Sequence, residues 1–262
     1  ELLKKENLEK LEELKHDGTE EIKISDLTGL EHCTSLIELN LRHNQITDIS
    51  SLSNLTNLIN LNLQHNQIGD ISPLSNLVNL THLNLHDNQI SNISSLSSLT
   101  NLIYLMLPQN QISDITTLSS LTELIFLNLA ANQITDINPL NNLTNLTQLN
   151  LHINQISSIN VLSNLANLTN LHLTGTLISN IGVLSNLVNL TTLYLPDNQI
   201  IDITPLIGNT GLSGEINLKG NPLSNTTLFN QIPILVARGI TVEHDDIPTD
   251  IIKMSDTSFE NS

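Results

Sequence analysis

One 22-residue pattern recurs in eight consecutive segments of this 262-residue chain, without a slip in register. Each segment reads Leu-x-x-Leu-x-Leu-x-x-Asn-x-Ile-x-x-Ile-x-x-Leu-x-x-Leu-x-x, with few departures. The segments begin at Leu36, Leu58, Leu80, Leu102, Leu124, Leu146, Leu168 and Leu190. A fixed period of this length is typical of a solenoid, in which repeats stack because one repeat cannot bury its apolar side alone.

Two shorter periodicities inside each repeat predict two kinds of local structure. In the repeat 58–79, Leu61 and Leu63 alternate with polar residues, as in a short strand with one buried side. Four aliphatic residues then follow at a spacing of three, which suits 3₁₀ turns because their side chains eclipse every third residue. We therefore predict an α/β fold, a right-handed solenoid with parallel strands on its concave face, 3₁₀ turns on its convex face and a helical N-terminal cap.

An asparagine recurs in the turn after each strand. Because an amide both donates and accepts hydrogen bonds, we expect it to satisfy backbone groups of its own coil and of the next one. These residues are Asn44, Asn66, Asn88, Asn110, Asn132, Asn154 and Asn198. Thr176 takes this place in the seventh repeat. A hydroxyl has one donor where the amide has two, so we predict a local irregularity in that turn.

The segments LTNLINLNLQHNQIGDISPLSN and LTNLTQLNLHINQISSINVLSN resemble the 22-residue leucine-rich repeats of bacterial internalin-type proteins. Similar repeats occur in an intracellular regulatory subunit of a protein phosphatase. The resemblance covers residues 36–222 and is specific for the fold, whereas such repeats serve many partners. It implies a secreted or cell-surface bacterial protein with an adhesion-type role. The alternatives are a cytoplasmic regulatory subunit that docks an enzyme, and a passive spacer within a larger surface protein.

Departures from the pattern divide the chain into four regions. These are a helical cap with a truncated first repeat (1–35), the repeat solenoid (36–223), a C-terminal cap (224–244) and a tail (245–262). Residues 1–16 carry leucines among glutamates and lysines, which predicts an amphipathic helix that covers the first coil. The register breaks where Asn209 replaces a leucine. A closing helix over 224–238 and a short strand over 240–242 are expected to follow.

The distribution of charge limits the possible partners. The formal net charge is −17, and no lysine or arginine lies between Arg42 and Lys219. Proteins that bind nucleic acid neutralise phosphates with lysine and arginine, so this function is excluded for the repeats, as is binding to an anionic membrane surface. No apolar run is long enough to cross a membrane. We expect a protein partner and a monomeric chain.

Patterns that accompany catalysis or a cofactor do not occur in the sequence. It contains no phosphate-binding glycine-rich loop, nucleophile elbow or cysteine–histidine ligand cluster, so we expect neither an enzyme nor a bound cofactor. An aspartate recurs two residues past the turn isoleucine, and turn chemistry explains this row better than a calcium site does. The row consists of Asp48, Asp70, Asp114, Asp136 and Asp202. The single cysteine, Cys33, is expected to be a buried thiol.

The residues that the pattern leaves free, at positions two, three, five, seven and eight, should project from the concave strand surface. Tyr104 and Phe126 occupy the same position in adjacent strands, so their backbones should lie about 5 Å apart. Aromatic residues and methionine are typical anchors of a binding hot spot, although aromatic residues also simply suit strands. We predict a partner-binding surface formed by Tyr104, Met106, Phe126, His82, His86, Asn128, His152, Ile153, His172 and Tyr194.

Six of the nine histidines fall on the same surface, which raises two further hypotheses. His43, His65 and Asp87 share position eight in successive repeats, but a row is the wrong shape for the closed tetrahedron of structural zinc, and no metal site is predicted. Histidines also titrate near neutral pH, so partner binding could depend on pH. In that case the affinity differs between about pH 5.5 and about pH 7.5. The residues concerned are His82, His86, His152 and His172.

Overall fold

The computed structural model describes residues 8–18 and 23–246. Within these ranges, eleven three-residue strands form one parallel sheet, and each strand pairs with the next in chain order. The strands are β1 Glu13–Lys15, β2 Glu38–Asn40, β3 Asn60–Asn62, β4 His82–Asn84, β5 Tyr104–Met106, β6 Phe126–Asn128, β7 Gln148–Asn150, β8 Asn170–His172, β9 Thr192–Tyr194, β10 Glu215–Asn217 and β11 Thr241–Glu243. From β2 to β9 each residue pairs with its counterpart one repeat later.

The convex side of the coils is built from 3₁₀ turns. They span Leu30–His32, Ser50–Leu52, Ser72–Asn76, Ser94–Ser98, Thr116–Ser120, Asn138–Asn142, Asn160–Asn164 and Gly182–Asn186. In the eighth repeat a short helix, α1 Thr204–Gly208, takes the place of the turn. The repeated leucines and isoleucines are fully buried between the sheet and these turns. The predicted fold class, a solenoid with strands on one face and 3₁₀ turns on the other, is confirmed.

The recurring aspartates begin the 3₁₀ turns. The carboxylate of Asp70 accepts hydrogen bonds from the N–H and the hydroxyl of Ser72, at 2.8 and 2.9 Å. Asp114 accepts the same pair from Thr116, at 2.8 and 2.6 Å. These bonds favour the charged carboxylate and lower the pKa of both aspartates. The row therefore has local backbone partners, as the interpretation from turn chemistry predicts.

The turn asparagines form a buried ladder that joins successive coils. The side-chain nitrogen of Asn66 donates to the carbonyls of Leu63 in its own coil and Leu41 in the preceding coil, both at 3.0 Å. Its side-chain oxygen accepts the N–H of Ile46 in the preceding coil, also at 3.0 Å. Each amide thus satisfies backbone groups in two coils, as predicted, but the second coil is the preceding one and not the next one.

The ladder is interrupted at Thr176, as the sequence predicts. The single hydroxyl proton of Thr176 serves two acceptors, the Leu173 carbonyl at 3.0 Å and the Asn198 side-chain oxygen at 2.6 Å. The N–H of Ile156, which the amide of an asparagine would accept, forms no hydrogen bond within the described residues. Gly175 keeps the left-handed backbone of this turn, with φ of 62°. The irregularity therefore lies in the hydrogen bonds and leaves the turn itself intact.

Replacing Thr176 with asparagine is expected to stabilise the chain. The amide would accept the Ile156 N–H and donate to a second carbonyl, and we expect a gain in the free energy of unfolding of about 1–2 kcal/mol. Chemical denaturation of Thr176→Asn against the parent chain measures this. The same change at the half-buried Thr174 is the control and should alter stability by less than about 0.5 kcal/mol. An unchanged or lower stability of Thr176→Asn would show that the ladder does not carry this energy.

Strand β1, Glu13–Lys15, corrects the later part of the predicted helix over residues 1–16, whereas Leu8 is helical as predicted. The N–H of Glu38 donates to the Glu12 carbonyl at 3.1 Å, so this segment pairs with the otherwise open edge of β2. An unpaired sheet edge leaves backbone groups unsatisfied, and pairing it outweighs the helix propensity of leucine, glutamate and lysine. Residues 1–7 and 19–22 lie outside the described residues. Cys33 is buried, as predicted.

The C-terminal end closes the core with a bent helix and a last strand. A π-helical turn, Thr227–Gln231, leads without interruption into helix α2 Ile232–Ala237. Pro233 therefore does not end the helix, and the π-helical turn before it is a local departure from the α-helical hydrogen bonds, in which proline cannot take part. The register break has a physical reason. Asn209 is fully buried, and its side chain donates to the carbonyls of Leu184 and Leu187 at 2.7 and 3.0 Å.

Candidate protein-recognition surface

Three aromatic rings form a column across the middle of the concave face. Tyr104 and Phe126 pair directly between β5 and β6, and their ring centroids are 4.1 Å apart with 12° between the ring planes. His82 in β4 extends the column, with its centroid 5.8 Å from that of Tyr104. The predicted adjacency of Tyr104 and Phe126 is confirmed. Partial burial of its phenol raises the pKa of Tyr104.

The ring column, His82–Tyr104–Phe126, separates two hollows in the concave face. The first, of about 230 Å³, lies between Lys15 and Tyr104. The second, of about 160 Å³, lies between Phe126 and His172. Leucines and the asparagines of the strands line both hollows. A ridge of rings between two hollows can insert into a partner, while the asparagines that line the hollows form hydrogen bonds to it.

Met106 and Asn128 lie next to each other in the same sheet region. Met106 is half-buried at the end of β5, and it pairs with Asn128 in β6. The side-chain oxygen of Asn128 accepts the N–H of Ala130 at 3.0 Å. Its side-chain nitrogen forms no hydrogen bond within the described part of the chain, so it is available to a ligand. The structure therefore brings together five of the predicted residues, namely His82, Tyr104, Met106, Phe126 and Asn128.

Tyr194 and His172 form a separate cluster near the C-terminal end of the sheet. Their ring centroids are 4.6 Å apart, with 47° between the planes. The Tyr194 hydroxyl donates to the Glu215 carboxylate at 2.9 Å, and this bond raises the pKa of Tyr194. Burial, and secondarily the nearby His152, lowers the pKa of His172. Tyr194 is thus not joined to the ring column, and its polar end is already bound within the chain.

Three other histidines, His43, His65 and His86, have partners of their own after the strands, whereas the side chain of His152 forms no hydrogen bond within the described residues. The His86 Nε2 lies 2.9 Å from the side-chain oxygen of Gln109. The rings of His43 and His65 stack at 4.3 Å, and His65 Nδ1 lies 2.7 Å from a carboxylate oxygen of Asp87. No group of three or more His, Cys, Asp or Glu residues within the described ranges is arranged to hold a metal ion. The pH dependence of binding stays a prediction.

Position eight has a backbone feature that sequence reasoning did not anticipate. Its seven non-glycine residues have positive φ, namely His43, His65, Asp87, Gln109, Ala131, Ile153 and Asp197. This left-handed region is unfavourable for a β-branched side chain, yet Ile153 lies in it with φ of 50° and is 52% exposed. Gly175 at the same position of the seventh repeat was the available signal, because glycine adopts this conformation at little cost. Ile153 is therefore a strained and exposed apolar residue.

Two further residues were missed by the sequence analysis. Ile103 and Ile125 directly precede Tyr104 and Phe126, and they are 36% and 44% exposed. The signal was the presence of isoleucine at position two of these repeats, where four other repeats have threonine. Within residues 8–18 and 23–246, no helix is long and apolar enough to cross a membrane.

Comparison with known proteins finds leucine-rich repeat proteins, both by family model and among solved structures. The family model for leucine-rich repeats (two copies) matches residues 34–76, 78–120 and 122–164. A search of curated proteins found no match. Among solved structures, an internalin (inlF) from Listeria monocytogenes is 32% identical over 94% of this chain and 85% of its own, with a TM-score of 0.63. Internalin C2 from the same species is 32% identical over 82% and 84%, with a TM-score of 0.66. A leucine-rich repeat protein from Leptospira interrogans is 25% identical over 92% and 62%, with a TM-score of 0.80.

Proposed function

We propose a recognition function for this chain, which belongs to the internalin-type leucine-rich repeat proteins. It binds a protein partner on its concave face, as a monomer, and catalyses no reaction. The observation that carries the proposal is the stack of Tyr104 on Phe126, which rises between two hollows lined by leucines and asparagines. Half-exposed rings held in one orientation lose little conformational entropy on binding, so they are efficient anchors.

The aromatic residues are concentrated rather than spread over the strands. In β3, β7 and β8 the position of Tyr104 is occupied by Asn60, Gln148 and Asn170. If aromatic residues were present only because they suit strands, a more even distribution over the sheet would be expected. Their grouping in adjacent strands supports a role in binding. The absence of lysine and arginine from residues 43–218 continues to exclude nucleic acid as the partner.

We propose a bacterial cell-surface or secreted location with an adhesion-type role. The support is the similarity to internalins of Listeria monocytogenes. The alternatives are a cytoplasmic regulatory subunit and a passive spacer. The gene sequence on both sides of this chain distinguishes the surface location from the cytoplasmic one. A signal peptide or wall anchor would favour the surface location, and a cytoplasmic protein has neither.

A matched pair of lysine substitutions tests which face binds. The probe is a set of peptides selected for binding to the intact chain from a displayed random library. Each peptide has about 16 residues, which in extended form is long enough to cross the stacked strands of the sheet. Asn128→Lys changes the concave face. Lysine fits at this position of a strand, because Lys15 occupies the equivalent position in β1. Ser97→Lys changes an exposed convex turn. We expect Asn128→Lys to weaken peptide binding about tenfold or more, and Ser97→Lys to leave it unchanged.

Two results of this titration would overturn the proposal. Loss of binding in Ser97→Lys alone would move the site to the convex face. Failure to recover any binding peptide would favour the passive spacer. Calorimetry provides the affinities, and circular dichroism confirms that both variants are folded.

A further inference from the structure

Repeats four and five carry more apolar residues on this face than the other repeats do, with Asn128 as the polar exception in β6. Repeat four contributes Ile103, Tyr104 and Met106, and repeat five contributes Ile125, Phe126 and Ala131. These six residues, named here the apolar band, start before the strands β5 and β6 and end in the turn after them. The band therefore runs parallel to the strands, across the direction in which the repeats stack.

Polar residues border the apolar band on both sides. Repeat three presents Thr81, His82, Asn84, His86 and Asp87, and repeat six presents Thr147, Gln148, Asn150 and His152. Two strands give the band a width of about 10 Å, and the seven residues from position two to position eight give it a length of roughly 23 Å. These are the dimensions of one helix or one extended segment of a partner, since a helix with its side chains is about 10 Å wide.

The surface of the apolar band is higher at one end than at the other. The rings of Tyr104 and Phe126 rise at the start of the strands, whereas the small side chain of Ala131 lies at the end. Ile153 occupies the position of Ala131 in the next repeat, and Gly175 occupies it in the repeat after that. A Cβ atom added at Gly175 would lie 3.5 Å from the side chain of Ile153. Ile153 thus projects between the small residues Ala131 and Gly175. The depression over Ala131 can accommodate an apolar side chain of the partner.

Carboxylates lie near both ends of the apolar band. Glu123 is exposed two residues before Ile125, at a position where most other repeats have asparagine. Asp87 is exposed after β4, and its N–H donates to the Pro108 carbonyl at 3.0 Å, so it adjoins the far end of the band. One of its carboxylate oxygens lies 2.7 Å from His65 Nδ1, and the other forms no hydrogen bond within the described residues. Residues 43–218 contain no lysine or arginine to neutralise them. Basic residues on both sides of an apolar segment would complement this arrangement.

We infer that the partner presents an apolar segment with basic residues at both ends, and that this segment lies along β5 and β6 in the apolar band. The inference rests on the proposed concave-face recognition. A second copy of this face is the poorer occupant, because it would bring carboxylates against carboxylates with no basic residue between them. The band covers only about 230 Å², against the roughly 800 Å² of a standard interface, so it acts as the hot spot and the polar borders form the rim.

Two threonine pairs test the inference with the peptides selected on the intact chain. Ile103→Thr/Ile125→Thr removes the outer end of the band, and Ile37→Thr/Ile59→Thr makes the same change in repeats one and two, where the isoleucines are 37% and 39% exposed. Threonine occupies this position naturally in repeats three, six, seven and eight, so both pairs are compatible with the fold. We expect the first pair to lower peptide affinity about tenfold and the second to leave it unchanged.

The selected peptides provide a second readout, since they should share an apolar centre with lysine or arginine on both sides. Equal effects of the two threonine pairs, or an acidic consensus, would overturn the inference. If Asn128→Lys abolishes binding while Ile103→Thr/Ile125→Thr does not, concave-face recognition stands, and the inference that the partner lies along the whole apolar band is wrong. Sedimentation of the intact chain should show a monomer. A dimer dispersed by the first threonine pair would instead make a second copy the occupant.

Discussion

Asn110→Ala is expected to lower the free energy of unfolding by roughly 2–4 kcal/mol. The side-chain nitrogen of Asn110 donates to the carbonyls of Leu85 and Leu107 at 3.0 and 3.1 Å. Its oxygen accepts the N–H of Ile90 at 3.0 Å. Alanine would leave that buried N–H without an acceptor and would open a small cavity between two coils. The two carbonyls keep a second partner each, from Asn88 and Asn132, which limits the loss.

Asn101→Ala is the matched control for this prediction. Asn101 is exposed, and its side chain makes one hydrogen bond, to the Val78 carbonyl at 2.9 Å. Water can replace that bond, so we expect a loss of less than about 1 kcal/mol. Chemical denaturation of the two variants should therefore separate clearly. If both variants lost the same free energy of unfolding, the claim that the buried asparagine ladder stabilises the stacking of the coils would be contradicted.

Tyr104→Ala/Phe126→Ala is expected to lower the affinity for the selected peptides by about 100-fold or more, because each truncated hot-spot residue typically costs 2 kcal/mol or more. The loss has two sources. The apolar area that the partner covers disappears, and so does the stack that holds each ring in place. Both rings are only half-buried in the free chain, so we expect stability to fall by no more than about 1–2 kcal/mol.

Phe229→Ala separates loss of the ring column from a general loss of aromatic surface. Phe229 is 39% exposed in the π-helical turn of the C-terminal cap, away from the sheet. Calorimetric titration of this variant should give the affinity of the parent chain. If Phe229→Ala weakens binding as much as the double variant does, the column is not the anchor.

Much of the fold could be predicted because it depends on repeated residues. The buried leucines and isoleucines and the turn asparagines recur at fixed spacing, and packing in one coil predicts packing in the next. The N-terminal strand could not be predicted in this way. Leucine, glutamate and lysine favour a helix locally, whereas β1 forms because β2 offers an open edge. A second asparagine ladder, which includes Asn101, was present in the pattern but was not interpreted.

The candidate site was predicted only in part, because it depends on residues that do not repeat. Equivalent positions in adjacent repeats placed Tyr104 beside Phe126, which the pairing of β5 with β6 confirms. The hydrogen bond from Tyr194 to Glu215 was not foreseen, since β10 follows a one-residue insertion that shifts the spacing. The positive φ at Ile153 was also missed, because left-handed backbone has no apolar period that would reveal it.

The central claim is that the repeated residues build the scaffold and that the unrepeated residues of repeats four and five bind the partner. Titration calorimetry of Tyr104→Asn/Met106→Asn/Phe126→Asn tests it most directly, because these changes give β5 and β6 the asparagines that β3 carries at Asn60 and Asn62 and leave every repeated residue in place. We predict a folded chain whose unfolding midpoint is close to that of the parent and whose peptide binding is lost. Peptide affinity equal to that of the parent chain would contradict the claim.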